Sequence, residues 1–182
     1  MAVFITDEDF DHCFGDGFHH TAWRLETRRA YASDIEGEEF QRFLRGEDPA
    51  EDPDRPWCRN VREQVAQGKR IERVRFVDDP TTVGQRYLLA SAWTNIEAGE
   101  DIRGLCRSRA TALGLPMVDF WLFDSRFALK LHFDDQDEYL GAELIEDPAT
   151  ILGYCQVRDA AWHYAMRYED FRARVASQAG PA

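Results

Sequence analysis

The stretch VDFWLFDSRFALKLHFDDQDEYLGAELIEDP, Val118 to Pro148, decides how this chain folds. Phe127, Leu129, Leu131 and Phe133 alternate with Arg126, Ala128, Lys130 and His132, the two-residue period of a half-buried strand. Leu140, Ala142 and Leu144 alternate in the same way. With Gln136 and Asp137 at a hairpin tip, Phe133 faces Leu140, Leu131 faces Ala142 and Leu129 faces Leu144. One apolar surface results, and a slip of one residue would turn it to water. A second turn at Asp124-Ser125 places Leu122 opposite Phe127 and Phe120 opposite Leu129.

The same registers set out the reverse face. Asp119, Lys130 and Glu143 fall in one row across three strands, Trp121 lies over Ala128, and His132 faces Gly141. One account of the row is a solvated charge ladder, each pair contributing roughly 0.2–1 kcal/mol. The other is a polar site floored by Gly141 and walled by Trp121, with Lys130 and His132 turned to a ligand. The candidate ligand-binding residues are therefore Asp119, Trp121, Lys130, His132 and Glu143, joined by Trp23, Arg24 and Glu26 from HTAWRLE.

Outward from this stretch, Asp147-Pro148 reads as an N-cap followed by proline at the first helical position. A long C-terminal helix is expected beyond it, with Ile151, Cys155 and Trp162 on one side and Tyr164, Tyr168 and Phe171 further along. Upstream, RIERVRFVDDP is strand-like, and TTVGQRYLLASAWTNIEAGED is a helix candidate. EGEEFQRFLRG carries Phe40, Phe43 and Leu44 on one helical stripe, with Gly46 as a stop. Asp54 is placed to cap a helix bearing Trp57, Val61 and Val65. Between these two helices, Arg45 to Pro56 holds three prolines, five acids and no apolar residue larger than alanine, so it reads as an exposed loop.

The expected architecture is one α+β domain over residues 1–178. Its mainly antiparallel or mixed sheet has helices packed on one side and a long C-terminal helix, and a disordered tail follows at 179–182. At 182 residues the chain suits one ordinary domain. Acids outnumber bases by 34 to 22, a net charge of −12 that repels nucleic-acid phosphates and anionic membranes. MAVFITDEDFDH lacks the basic and apolar segments of a signal peptide, and no run is long enough to span a bilayer, so the cytoplasm is the expected location. The four cysteines are scattered, which reads as free thiols.

Other constellations yield less. His12, Cys13, His19 and His20 have no second half with ligand spacing, so no metal is expected, and no cofactor motif is present. Arg73 and Arg75 share a strand face in RVRFV, and DIRGLCRSRA sets out Arg103, Arg107 and Arg109 likewise. Internal ion pairing is the better reading of these arginines, and a groove for a carboxylate or phosphate is the alternative.

Five blocks carry a family likeness: HTAWRLETRRAY (His20 to Tyr31), FLRGE (Phe43 to Glu47), GEDIR (Gly99 to Arg103), DFWLFD (Asp119 to Asp124) and LHFDDQDEYLGAELIEDP (Leu131 to Pro148). Together they resemble the actinobacterial family known as domain of unknown function 6879. That resemblance implies a protein without an assigned reaction, often encoded beside helix-turn-helix regulators.

Three functions are carried forward. The leading one is a non-enzymatic interaction module acting with a helix-turn-helix regulator, whose basic surface an acidic partner would neutralise. A small enzyme would use Lys130 to hold an anion, His132 to move a proton and Glu143 to orient the lysine. A small-molecule sensor would hold its ligand between the sheet and the C-terminal helix, and a small anionic ligand is kept in view as a separate partner.

Overall fold

The computed structural model describes residues 3–178. Seven strands form one mixed sheet: β1 (Thr21–Glu26), β2 (Arg70–Val77), β3 (Asp101–Cys106), β4 (Phe120–Phe123), β5 (Phe127–Phe133), β6 (Tyr139–Ile145) and β7 (Met166–Arg167), in the spatial order β6-β5-β4-β1-β2-β3-β7. The single α+β domain stands as expected. β1, β2 and β3 run parallel, while the other neighbouring pairs are antiparallel.

Parallel neighbours need crossovers, and helices supply them. Between β1 and β2 lie α2 (Ala32–Ile35), α3 (Glu38–Leu44) and α4 (Pro56–Ala66); between β2 and β3 lie α5 (Val83–Ser91) and α6 (Trp93–Ala98). The boundaries have local causes. Pro56 starts α4 at a position whose N–H has no intrahelical partner, so Arg55 is its N-cap and Asp54 pairs with Arg62 at 2.7 Å. Thr82 and Gln85 form a reciprocal capping box on α5.

Helices cover both faces of the sheet, where one-sided packing was expected. On one face α1 (Asp7–Cys13), its following residue Phe14, and Cys58, Val61 and Ala98 of α4 and α6 pack against Ala22, Ile71, Trp121, Phe123 and Leu129. On the other, Ala110 of α7 (Arg107–Ala112) and Ile151 and Ala161 of α8 (Pro148–Tyr164) pack against Trp23, Leu25, Val74, Phe76, Phe120 and Leu122. The central strands are therefore buried on both sides, as parallel strands are.

Three further expectations are corrected. The strand over DIRGLCRSRA ends at Cys106, and Arg107 and Arg109 belong to α7, off the face of Arg103. The long C-terminal helix is two: Ala165 turns extended, β7 pairs with the open edge of β3, and α9 (Tyr168–Gln178) resumes. Pairing covers an edge that would otherwise expose its backbone. Gly104 makes room there, since a Cβ would sit 2.4 Å from the Phe171 ring.

The third concerns the opening stretch. Phe123 faces Phe127, Trp121 faces Leu129 and Phe120 faces Lys130, one residue out of the expected register. The turn is longer than two residues: Asp124 and Ser125 both take left-handed backbone, and Arg126 donates its N–H to the Phe123 carbonyl. The Asp124 carboxylate accepts from the N–H groups of His19, His20 and Thr21 at 2.7–2.8 Å, which ties the turn to the start of β1. The β5–β6 register is as expected from Leu129 to His132, and a bulge then brings Phe133 against Tyr139 instead of Leu140.

Among the described residues no helix is long and apolar enough to cross a membrane. Residues 179–182, expected to form a disordered tail, lie outside the described residues.

Candidate functional site

Strand alternation builds the site. In the parallel register Arg24 lies beside Arg73 and Glu26 beside Arg75, and Trp121 lies beside Arg24 across the antiparallel boundary. All five therefore project from one face. Over them α1, α2, α5 and the Arg45–Pro56 segment enclose a cavity of about 300 Å³, near the lower end of small-molecule sites, which run to roughly 1,000 Å³.

Its floor is a buried ion network. Glu26 is fully buried and accepts from Arg75 Nε and, at 2.7 Å, from Arg73 Nη1. Arg73 Nε reaches Glu100 at 2.7 Å, and Glu100 also accepts from Asn95 and from the Trp57 indole. Burial alone would push the Glu26 carboxyl up, but Arg75, Arg73 and Arg24 outweigh it and hold it well below the usual carboxylate range. Burial likewise disfavours the Arg73 cation, and Glu100 and Glu26 overcome that. Arg75 is further anchored by donating to the Leu88 carbonyl at 2.6 Å.

Two cations in the wall are compensated less. Arg24 donates to the Tyr31 hydroxyl at 2.8 Å, and its Nε stands 3.8 Å from the shared Glu26. Among the described residues the Arg55 side chain bonds only to neutral groups, the Thr94 hydroxyl at 3.4 Å and the Asn95 amide oxygen. Each of these arginines keeps a buried Nε–H without a hydrogen-bond partner. A buried donor left unmade costs about 1–3 kcal/mol, more when charged, so it calls for an acceptor.

The remaining wall is aromatic. Phe14 meets Trp57 and Trp121 edge-on at 5.3 and 4.9 Å, and the two indoles lie 5.6 Å apart. The Arg24 and Arg73 guanidinium groups sit 5.6 and 5.7 Å from the Trp121 ring. At the rim, Glu51 accepts from the Tyr87 hydroxyl at 3.1 Å. Asp34 completes the wall, its carboxyl raised first by burial and then by Glu26 and Glu51, against the opposing pull of Arg75 and Arg55.

Of the eight candidates, Arg24, Glu26 and Trp121 meet here. Asp119 projects from the same face but is spent on structure: it accepts from the Thr27 N–H at 3.1 Å and the Thr27 hydroxyl, and burial raises its carboxyl. Trp23 is buried on the opposite face, 5.8 Å from Phe120. Lys130, His132 and Glu143 share that opposite face.

The row of Asp119, Lys130 and Glu143 is thus broken. With the β4–β5 register moved by one, Asp119 points away from Lys130, whose neighbour is Phe120. Glu143 remains opposite Lys130 in register but pairs with His132 Nε2 at 2.8 Å, and Phe4 packs its ring 5.2 Å from the imidazole. Among the described residues Lys130 makes no ion pair.

Sequence reasoning missed Arg55, Asp34, Glu51, Tyr31 and Asn95. Arg55 and Glu51 lie in the segment read as an exposed acidic loop, of which Glu51 and Arg55 are half-buried and Pro49 is buried. The usable signal was the alternation of Arg73 and Arg75. Both readings of it meet here, since the two arginines are ion-paired internally and also line a cavity.

A family model, described as domain of unknown function (DUF6879), matches residues 8–173. The chain belongs to the DUF6879 family. No curated protein matches this DUF6879 chain. Among solved structures it is similar to a phospholipase D family member, Nuc from Salmonella typhimurium. That likeness has a TM-score of 0.48 and 12% identity over 84% of each chain, and it carries no chemistry across.

Proposed function

We propose that this protein is a small-molecule binding module whose ligand presents an anionic group to Arg24 and Arg55. One observation carries the reading: two cavity-wall arginines keep buried donors unmade, while the arginines behind them are neutralised by Glu26 and Glu100. A second arginine cluster supplies the contrast. At the ends of β1 and β3, Arg28 pairs with Asp137 at 2.6 Å, and Arg29 and Arg107 pair with Asp78 at 2.7 and 3.1 Å. Arg107 also keeps a buried Nε–H without a hydrogen bond, but the Asp78 carboxylate stands 3.1 Å from it, whereas among the described residues no carboxylate pairs with Arg55.

The ligand sits between the sheet and the α1–α2–α5 side in this proposal, not beneath the C-terminal helices. The enzyme reading around Lys130, His132 and Glu143 has less support than the cavity, because Asp119 turns away from the lysine, Glu143 pairs with His132 and Phe4 packs beside the imidazole. A helix-turn-helix regulator stays within the proposal as the partner that reads the bound state, supported by the net charge of −12.

A thermal-shift series with small carboxylates and inorganic phosphate tests it. A ligand at 100 times its Kd adds about 2.7 kcal/mol to stability, well within detection. Stabilisation by carboxylates that disappears in Arg55→Ala and persists in Glu143→Ala is expected. Stabilisation unaffected by Arg55→Ala would overturn the assignment of the site.

A further inference from the structure

The cavity wall carries groups of both charges. Arg24 and Arg55 bring unmade N–H donors. Asp34 brings the opposite: among the described residues its carboxyl accepts no hydrogen bond and makes no ion pair, although it lines the cavity. Glu51, beside it in the wall, has the Tyr87 hydroxyl as its only hydrogen-bond partner among the described residues and no counter-ion. Burial and Glu26 disfavour the charged form of Asp34 and Glu51 adds to this, while Arg75 and Arg55 offset only part of it. A simple anion would take up Arg24 and Arg55 and bring no cation to the two acids. In the same wall, Phe14, Trp57 and Trp121 offer a largely apolar surface with two indole N–H groups, of which the Trp57 one goes to Glu100.

We infer that the ligand is a zwitterion of the amino-acid class with an apolar side chain. Its carboxylate lies at Arg24 and Arg55, its ammonium at Asp34 and Glu51, and its side chain on the indoles. This rests on the anion-binding reading above and adds the cationic end. A ligand of this class fits because each charged group it brings meets one the protein leaves short. Its two opposite charges also match a wall in which Arg24, Arg55, Asp34 and Glu51 sum to zero. The aromatic end favours phenylalanine-like or leucine-like side chains over charged ones.

Isothermal titration of the full chain with four probes decides it: L-phenylalanine, L-leucine, 3-phenylpropionate (no ammonium) and phenethylamine (no carboxylate). The expected order places both amino acids above either truncated analogue by roughly ten- to a hundredfold, the worth of one charge-assisted hydrogen bond. Asp34→Asn should weaken L-phenylalanine by a similar factor and leave 3-phenylpropionate unchanged, a pattern that mere loss of folding cannot produce. If 3-phenylpropionate binds as tightly as L-phenylalanine, the zwitterion inference fails and the anion reading stands. If phenethylamine alone binds, both fail. If none of the four binds, the amino-acid class is excluded, and the carboxylate and phosphate series judges the anion reading separately.

Discussion

The sheet carries two polar patches, one on each face, and they differ in depth and enclosure. The patch over β1 and β2 lies under helices on a face where Glu26, Arg73 and Arg75 are almost fully buried. The patch of Lys130, His132 and Glu143 lies on β5 and β6 at one side of the sheet, with the His132 and Glu143 side chains 24% and 28% exposed. Charge alone does not distinguish them. In the first, desolvation multiplies every interaction and makes each unpaired group expensive; in the second, water screens most of what the charges do. A row of charges becomes a site only where the fold removes the solvent around it.

The sharpest way to break this contrast is to remove the central carboxylate. Glu26→Ala leaves Arg73 and Arg75 buried without their shared partner and should cost about 3–5 kcal/mol in urea unfolding. A cost below about 1 kcal/mol would mean water reaches the network and the two faces are alike.

The pH dependence sharpens the same point. Glu26 is held below its ordinary range, so its stabilisation is fully present above the unfolded carboxylate pKa of about 4.3 and is lost as pH falls below it. Asp34 and Asp119 are raised by burial, so their contributions run the other way and improve on acidification. The gap in stability between wild type and Glu26→Gln should therefore narrow from about pH 7 to about pH 3. A gap that is flat over that range would contradict the ionised, arginine-held Glu26.

Smaller effects follow. Asp124→Ala removes three N–H acceptors at the turn that sets the β4 register and should cost about 1–3 kcal/mol. Glu143→Ala should cost less than about 1 kcal/mol, since its pair with His132 is partly exposed on both sides. If Glu143→Ala proves as damaging as Glu26→Ala, the outer face is the structured one and the assignment of roles reverses.

These contrasts also mark what was legible in the chain. The strands over Arg70–Val77 and Phe127–Ile145 and the cap at Asp147 were readable because apolar period and capping chemistry are local. The β4–β5 register was not, because it depends on Asp124 bonding residues more than a hundred positions away. A turn of three residues instead of two then exchanged the faces of Trp121 and Phe120. The Arg73–Arg75 alternation pointed to the site, whereas Arg55, Asp34 and Glu51 come from helix starts and a proline-rich connection whose composition reads as solvent-exposed. Their burial follows from the parallel crossover over β1 and β2, which no local pattern encodes.

The most direct measurement is a crystal structure with 3-phenylpropionate, the probe that engages only the anionic end and the indoles. The account predicts its carboxylate within hydrogen-bond distance of Arg24 or Arg55 and its ring on Trp57 and Trp121. A cavity holding water alone at saturating probe, or the probe seated beside Lys130, would contradict it.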